Sequence, residues 1–249
     1  MSSARGGESR TVLVRSPRVL GVVSDPDPEL LAPHVDWSRW YLTDEEDVGE
    51  SAEQHDVVVE LESSLRVLAR ERGWTGVYIG ADQFFAWIRE EPLVRVSPDV
   101  YVIDVSPEPP SPASWQTWLP GVPPPRFAVE IVSEDWGKDY EDNPPKYAML
   151  GSRELVVFDP DAAAARVRSD VRVALQVWRR TPEGGFVRVY AGRGPARSQE
   201  IDADLVVTAT GSSPRLRLSR PIEATLVPTE GELAARALAR AEDERKRAD

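Results

Sequence analysis

Arg126-Phe127-Ala128-Val129-Glu130-Ile131-Val132-Ser133 reads as a β-strand that is apolar on both faces except at Glu130, the pattern of a strand inside a covered sheet. Downstream, Asn143-Pro144-Pro145 suits a helix N-cap with proline at the first helical position, opening a short helix, Lys146-Tyr147-Ala148-Met149-Leu150, that Gly151 stops. Glu154-Leu155-Val156-Val157-Phe158 is a second buried strand, closed by a turn at Asp159-Pro160. Strand, helix and strand in this order predict an α/β (α+β) fold whose mixed central sheet is flanked by helices.

Upstream, Val57, Val58, Leu61, Leu65 and Leu68 recur at helical spacing. With Ser51 and Gln54 as a capping box and Gly73 as a stop, they predict an amphipathic helix over 51–72. Short β-rich segments follow at 76–79, 84–88, 93–96 and 100–103. Residues 107–125 contain eight prolines, which forbid a helix or a central strand there. They read as a surface excursion whose Trp115 and Trp118 need a docking groove or a partner. Residues 1–50 read as an irregular segment with extended pieces at 12–14 and 19–23 and an acidic linker at 44–50.

Beyond the second buried strand the pattern becomes a β-meander. A hairpin is expected from 173–178 and 186–190, with weaker strands at 205–208 and 216–218. Residues 230–249 favour helix but carry a thin apolar stripe, so a protruding or partly frayed helix, open to self-association, is expected. The organisation is thus an irregular segment at 1–50, a main domain at 51–228 and a helical tail at 229–249.

Composition narrows the chemistry. With 249 residues, 41% of them hydrophobic, the chain can bury a sizeable core. The absence of cysteine excludes disulfides, thiolate zinc sites, iron–sulfur clusters and cysteine nucleophiles, and two histidines are too few for a three-histidine zinc centre. The N-terminus lacks the apolar core of a signal peptide, and no run approaches the ~18 apolar residues of a membrane span, so a cytoplasmic protein is expected. No phosphate loop, dinucleotide fingerprint or Gly-x-Ser-x-Gly elbow is present, and no nucleotide cofactor is expected. The net charge of −12 opposes nucleic acid globally, although 166–168 and 215–217 offer local arginines.

Two carboxylates stand out. Asp99 follows Pro98 at the head of an apolar run, and Glu130 sits within the central strand. A carboxylate in such a setting is costly unless it is paired, hydrogen-bonded or holds a metal. Two acids at adjacent strand ends with a lysine nearby form the minimal kit for divalent-metal hydrolysis of a phosphodiester. Asp99 and Glu130 suit the ligand role for Mg²⁺ or Mn²⁺, and the carbonyl of Ile131 is a third ligand candidate. Lys138 and Lys146 are the lysine candidates. The plainer readings make Asp99 a turn residue bonded to local amides, and each lysine a solvent-facing side chain.

The order Ser-Pro-Asp-Val (97–100), Ala-Val-Glu-Ile-Val-Ser (128–133), Lys-Asp-Tyr-Glu-Asp-Asn-Pro-Pro-Lys-Tyr-Ala-Met-Leu-Gly (138–151) and Arg-Glu-Leu-Val-Val-Phe-Asp-Pro (153–160) resembles the Uma-two family of bacterial restriction-endonuclease-like proteins of the PD-(D/E)XK superfamily. The match spans about 94–160. It implies a restriction-endonuclease-like fold, metal binding by Asp99 and Glu130, and endonuclease action on DNA, with a homodimer as the expected assembly. In the wider superfamily a lysine stands two residues after the glutamate. Here that position is Val132, and the alternative family position on or before the following helix holds Asn143. Lys138 and Lys146 are the replacements, Lys138 slightly favoured because its Lys-Asp-aromatic step resembles a family variant. Glu53 and Glu60 are secondary acidic candidates on the first helix. The rival expectation is a catalytically weakened nuclease fold acting as a binding or assembly module.

Overall fold

The computed structural model describes residues 22–23, 41–42, 52–106, 111–133, 136–169, 171–182, 184–210 and 213–248. In chain order the elements are β1 (Val22–Val23), α1 (Ala52–Glu71), β2 (Tyr78–Gly80), β3 (Phe84–Ala86), β4 (Arg95–Val96), β5 (Val100–Ile103), β6 (Ser114–Gln116) and β7 (Phe127–Ile131). A π-helical turn (Lys138–Asp142) then runs into α2 (Asn143–Leu150), followed by β8 (Glu154–Phe158), α3 (Pro160–Ala163), β9 (Leu175–Arg180) and β10 (Phe186–Gly192). The chain closes with β11 (Ala196–Ser198), β12 (Ala203–Thr210), β13 (Ser213–Arg220), β14 (Thr225–Leu226) and α4 (Glu230–Ala248).

The main sheet has the order β1-β10-β9-β8-β7-β5-β2. Only β7 and β8 pair in parallel among its described strands, with α2 as their crossover. That is the mixed sheet expected from the strand–helix–strand order, and it requires the helical connection that parallel pairing imposes. All five residues of β7 and of β8 are buried.

Alternation along these strands feeds two cores. Val100, Val102, Phe127, Val129, Ile131 and Val156 face α1 and a second sheet of order β11-β12-β13-β14. Tyr101, Ala128, Leu155 and Val157 face the other way, toward Tyr147 and Leu150 of α2 and Phe85 and Trp115. The apolar stripe of α1 is buried at Val57, Val58, Leu61, Leu65 and Leu68 as its spacing requires, and Gly73 ends the helix with a left-handed φ of 64°.

Several expectations change in detail. Asn143 is not an N-cap: the π-helical turn leads directly into α2, and the preceding Asp142 is itself helical. Pro144 and Pro145 have no N–H to donate back to residues 140 and 141, and the turn before them has the wider π pattern, with Asn143 N–H donating to the Lys138 carbonyl. The weak strands near 205 and 216 are eight residues each and pair over seven positions; their interspersed Arg, Asp and Thr break the apolar signal, although Arg215 and Arg217 are themselves buried. The Pro-rich excursion holds the three-residue β6, in parallel register with β3 at an edge of a small sheet of order β4-β3-β6. Trp115 docks there, stacked on Phe85 at 6.1 Å with its indole N–H donating to Tyr101 Oη at 2.7 Å. The extended piece at 12–14, the Ser51 cap and the linker at 44–50 lie outside the described residues.

Candidate active site

The antiparallel register of β5 and β7 pairs Val100 with Val129 and Tyr101 with Ala128. Extending it by one residue sets Asp99 opposite Glu130. Because side chains alternate and Tyr101 and Ala128 belong to the α2 face, both acids emerge on that face, at the C-terminal end of β7. They are recessed, 9% and 6% exposed respectively.

Each acid is oriented by named donors. Asp99 Oδ2 accepts the Ile131 N–H at 2.5 Å and Oδ1 accepts the Gln54 amide at 2.8 Å. Glu130 Oε1 accepts the Tyr147 hydroxyl at 2.6 Å. The β-sheet thus supplies the carboxylates, while the N-terminal turn of α1 and the middle of α2 hold them in place.

The π-helical turn adds a third acid. Asp139, Asn143 and Tyr147 are spaced by four residues and share one helical stripe. Asp139 Oδ2 accepts the Ser133 N–H at 3.1 Å, and its Oδ1 accepts the Asn143 amide at 3.2 Å. Asp139 is therefore tied to the strand end beside the carboxylate pair, and its negative charge acts on both members.

Lys138, half-buried at the start of the turn, places a positive charge that favours ionised Glu130. Lys146 is 8% exposed within α2, so its stem does not lie along the helix surface.

The electrostatics follow from crowding. Burial pushes the Asp99 carboxyl up to about 7, against the hydrogen bonds from Ile131 and Gln54 and with help from Asp82 and Asp139. Glu130 is raised well above the usual carboxylate range, first by burial and then by Asp99 and Asp139; Tyr147 and Lys138 oppose the rise. Burial also raises the Tyr147 phenol, reinforced by the charge of Glu130. Asp99, Glu130 and Asp139 crowd this sheet end with Lys138 near Glu130, and a divalent cation with hard oxygen preference suits such donors.

Among the described residues no group of three or more His, Asp or Glu converges in ligating geometry. An ion here would rest on Asp99 and Glu130, with the Ile131 carbonyl and water available to complete its shell.

Gln54, Asp139 and Tyr147 were not legible as site residues. Gln54 read as part of a capping box, and only the 139/143/147 spacing hinted at a shared face. The first-helix acids are engaged elsewhere: Glu53 pairs with Arg166 at 3.0 Å and Glu60 lies 3.7 Å from Arg215.

Residues 45–186, more than half of the chain, match the model of the Uma2 family, described as "putative restriction endonuclease". Among solved structures, a crystal structure of "a putative nuclease belonging to DUF820" from Anabaena variabilis ATCC 29413 is similar with a TM-score of 0.42 at 11% sequence identity, covering 62% of this chain and 76% of that chain. No curated protein matches.

Proposed function

This chain belongs to the Uma2 family, and from that premise we propose that it is a nuclease that hydrolyses DNA phosphodiester bonds with the aid of Mg²⁺ or Mn²⁺. The observation that carries the reading is the opposition of Asp99 and Glu130 on facing strands, on one face and at one sheet end.

Asp99 and Glu130 would hold the cation, joined by the Ile131 carbonyl. When bound, the cation supplies charge stabilisation to the phosphate and acidifies a water. Gln54 and the Ile131 N–H fix Asp99, and Tyr147 fixes the Glu130 carboxylate. Lys138 supplies the ammonium that orients the attacking water, standing in for the lysine that Val132 and Asn143 replace. Lys146 is the second lysine of the proposed set, one residue from the phenol that touches Glu130.

The proposed partner is DNA, cut by a homodimer because two strands need two sites, in the cytoplasm. No helix of the described residues is long and apolar enough to cross a membrane. Many of the arginines are committed to ion pairs, among them Arg153, Arg166, Arg172, Arg179, Arg215, Arg217 and Arg220. With the net charge of −12, binding would depend on few phosphate contacts and show a shallow salt dependence.

The depth of the two acids supports a second reading, a catalytically weakened module that keeps the fold and binds partners. Mn²⁺ titration of the purified protein separates the two. The nuclease reading expects saturable binding and metal-dependent DNA cleavage, both lost in Asp99→Asn and Glu130→Gln; stable oligomers with no metal response favour the module.

A further inference from the structure

Two arginines six residues apart, Arg166 and Arg172, grip the two parts of the site that the sheet does not supply. Arg166 forms a two-pronged pair with Glu53, with both N···O distances 3.0 Å, on the turn of α1 next to Gln54, which bonds Asp99. Arg172 forms a second two-pronged pair with the fully buried Asp159, at 2.7 and 2.9 Å. Such forks fix direction as well as distance.

Asp159 passes that constraint to the π-helical turn. The Tyr140 hydroxyl lies 2.9 Å from Asp159 Oδ2 and 2.9 Å from the Val173 carbonyl, and it accepts the Val173 N–H at 3.0 Å. Its single proton serves one of the two acceptors at a time. Tyr140 is also packed edge-on against Trp136 at 5.7 Å, and the Arg172 guanidinium lies 5.8 Å from the same indole. Asp139 and Lys138 directly precede Tyr140, so their placement beside Glu130 depends on this anchor. The Asp159 N–H donates to the Ala174 carbonyl and its Oδ1 caps α3 through the Ala162 N–H, which seats the anchor on the rigid end of β8.

We propose that Arg166 and Arg172 form a clasp of positioning residues, in which Arg166–Glu53 sets Gln54 on Asp99 and Arg172–Asp159–Tyr140 sets the turn bearing Lys138 and Asp139 on Glu130. The proposal rests on the metal-dependent reading for its consequence, and its geometry is independently measurable. Rare backbone patterns such as the π turn concentrate at functional positions, and outer partners that orient ligands change metal affinity by about 10-fold or more when removed.

The test uses the full chain with Tyr140→Phe and Glu53→Gln, mild changes that leave Arg172 on Asp159 and the helix intact, and Arg168→Ala, exposed between the two arms, as control. Amide exchange by NMR reads the arms separately: the Ser133 N–H reports Asp139, and the Ile131 N–H reports Asp99. Tyr140→Phe is expected to speed exchange at Ser133 and Glu53→Gln at Ile131, each with about 10-fold weaker Mn²⁺ binding by calorimetry, while β12 and β13 amides and Arg168→Ala stay at wild-type values. Exchange that rises only in step with β12 and β13, or equal effects in Arg168→Ala, overturns the clasp. Absence of Mn²⁺ binding in the wild type would instead sink the metal-dependent reading, while the exchange data still decide the clasp.

Discussion

Glu154 and Glu130 lie on neighbouring parallel strands, both in wholly buried stretches, at opposite ends of the sheet. Glu154, 0% exposed, is enclosed by complementary groups. The Arg179 guanidinium donates to its Oε2 from two nitrogens at 3.0 and 3.1 Å, the Gln199 N–H adds a bond at 3.2 Å, and the Ser198 hydroxyl bonds Oε1. Around it Arg126 and Arg153 both pair with Asp104, and Arg153 reaches Glu200. At the other end Glu130 has one phenol, two neighbouring carboxylates and a half-buried lysine. The first arrangement compensates charge within the protein and locks the second sheet to the first. The second crowds carboxylates at one end of the sheet, a repulsion that a bound cation would relieve, and sites tuned in this way are where chemistry concentrates.

The comparison is broken most severely by deleting the compensating cation. Arg179→Ala should cost about 3–5 kcal/mol, because it strands a buried carboxylate, whereas metal-free Glu130→Gln should be as stable as wild type or more so. Denaturant melts of both variants check this, and equal losses would dissolve the distinction between the two ends.

Next in size is the pH dependence. The folded pKa of Asp99 is raised from 3.8 to about 7, so the folded state holds this proton more tightly than the unfolded chain does. The associated stability is fully present below 3.8 and is lost as pH rises through about 7, on the order of a few kcal/mol. With a chelator present, melting temperature should fall from pH 5 to pH 8, and saturating Mn²⁺ should flatten the slope; a profile flat under both conditions would refute the crowding. The smallest effects sharpen the contrast: Tyr147→Phe should weaken Mn²⁺ binding about 10-fold by calorimetry, and Ser198→Ala should cost about 1 kcal/mol in melts without touching metal affinity.

Much of the frame was legible because it obeys short-range rules. The strands 100–103, 127–131 and 154–158, the helix 52–71 and the hairpin of β9 and β10 follow from periodicity and turn residues alone. The start of α2 was misread because the capping signal of Asn143-Pro144-Pro145 looks the same whether or not a π turn precedes it. Gln54 fits a local capping pattern in the sequence while its amide bonds a distant acid in the structure, and nothing within one window of sequence separates those uses.

What the sequence determined by itself is the supply of chemistry: oxygen ligands without thiolates, acids embedded in or heading apolar strands, and a strand–helix–strand order that predicts a mixed sheet; the antiparallel register of β5 and β7 sets Asp99 opposite Glu130. Tertiary structure alone decided which buried acid is compensated and which is crowded. Glu130 and Glu154 are alike in their strand context, and they part because Arg179 and Ser198 arrive from later strands at one while Asp99 and Asp139 arrive at the other. A carboxylate's energy depends on the charges within a few ångströms of it, and those neighbours are brought by the fold.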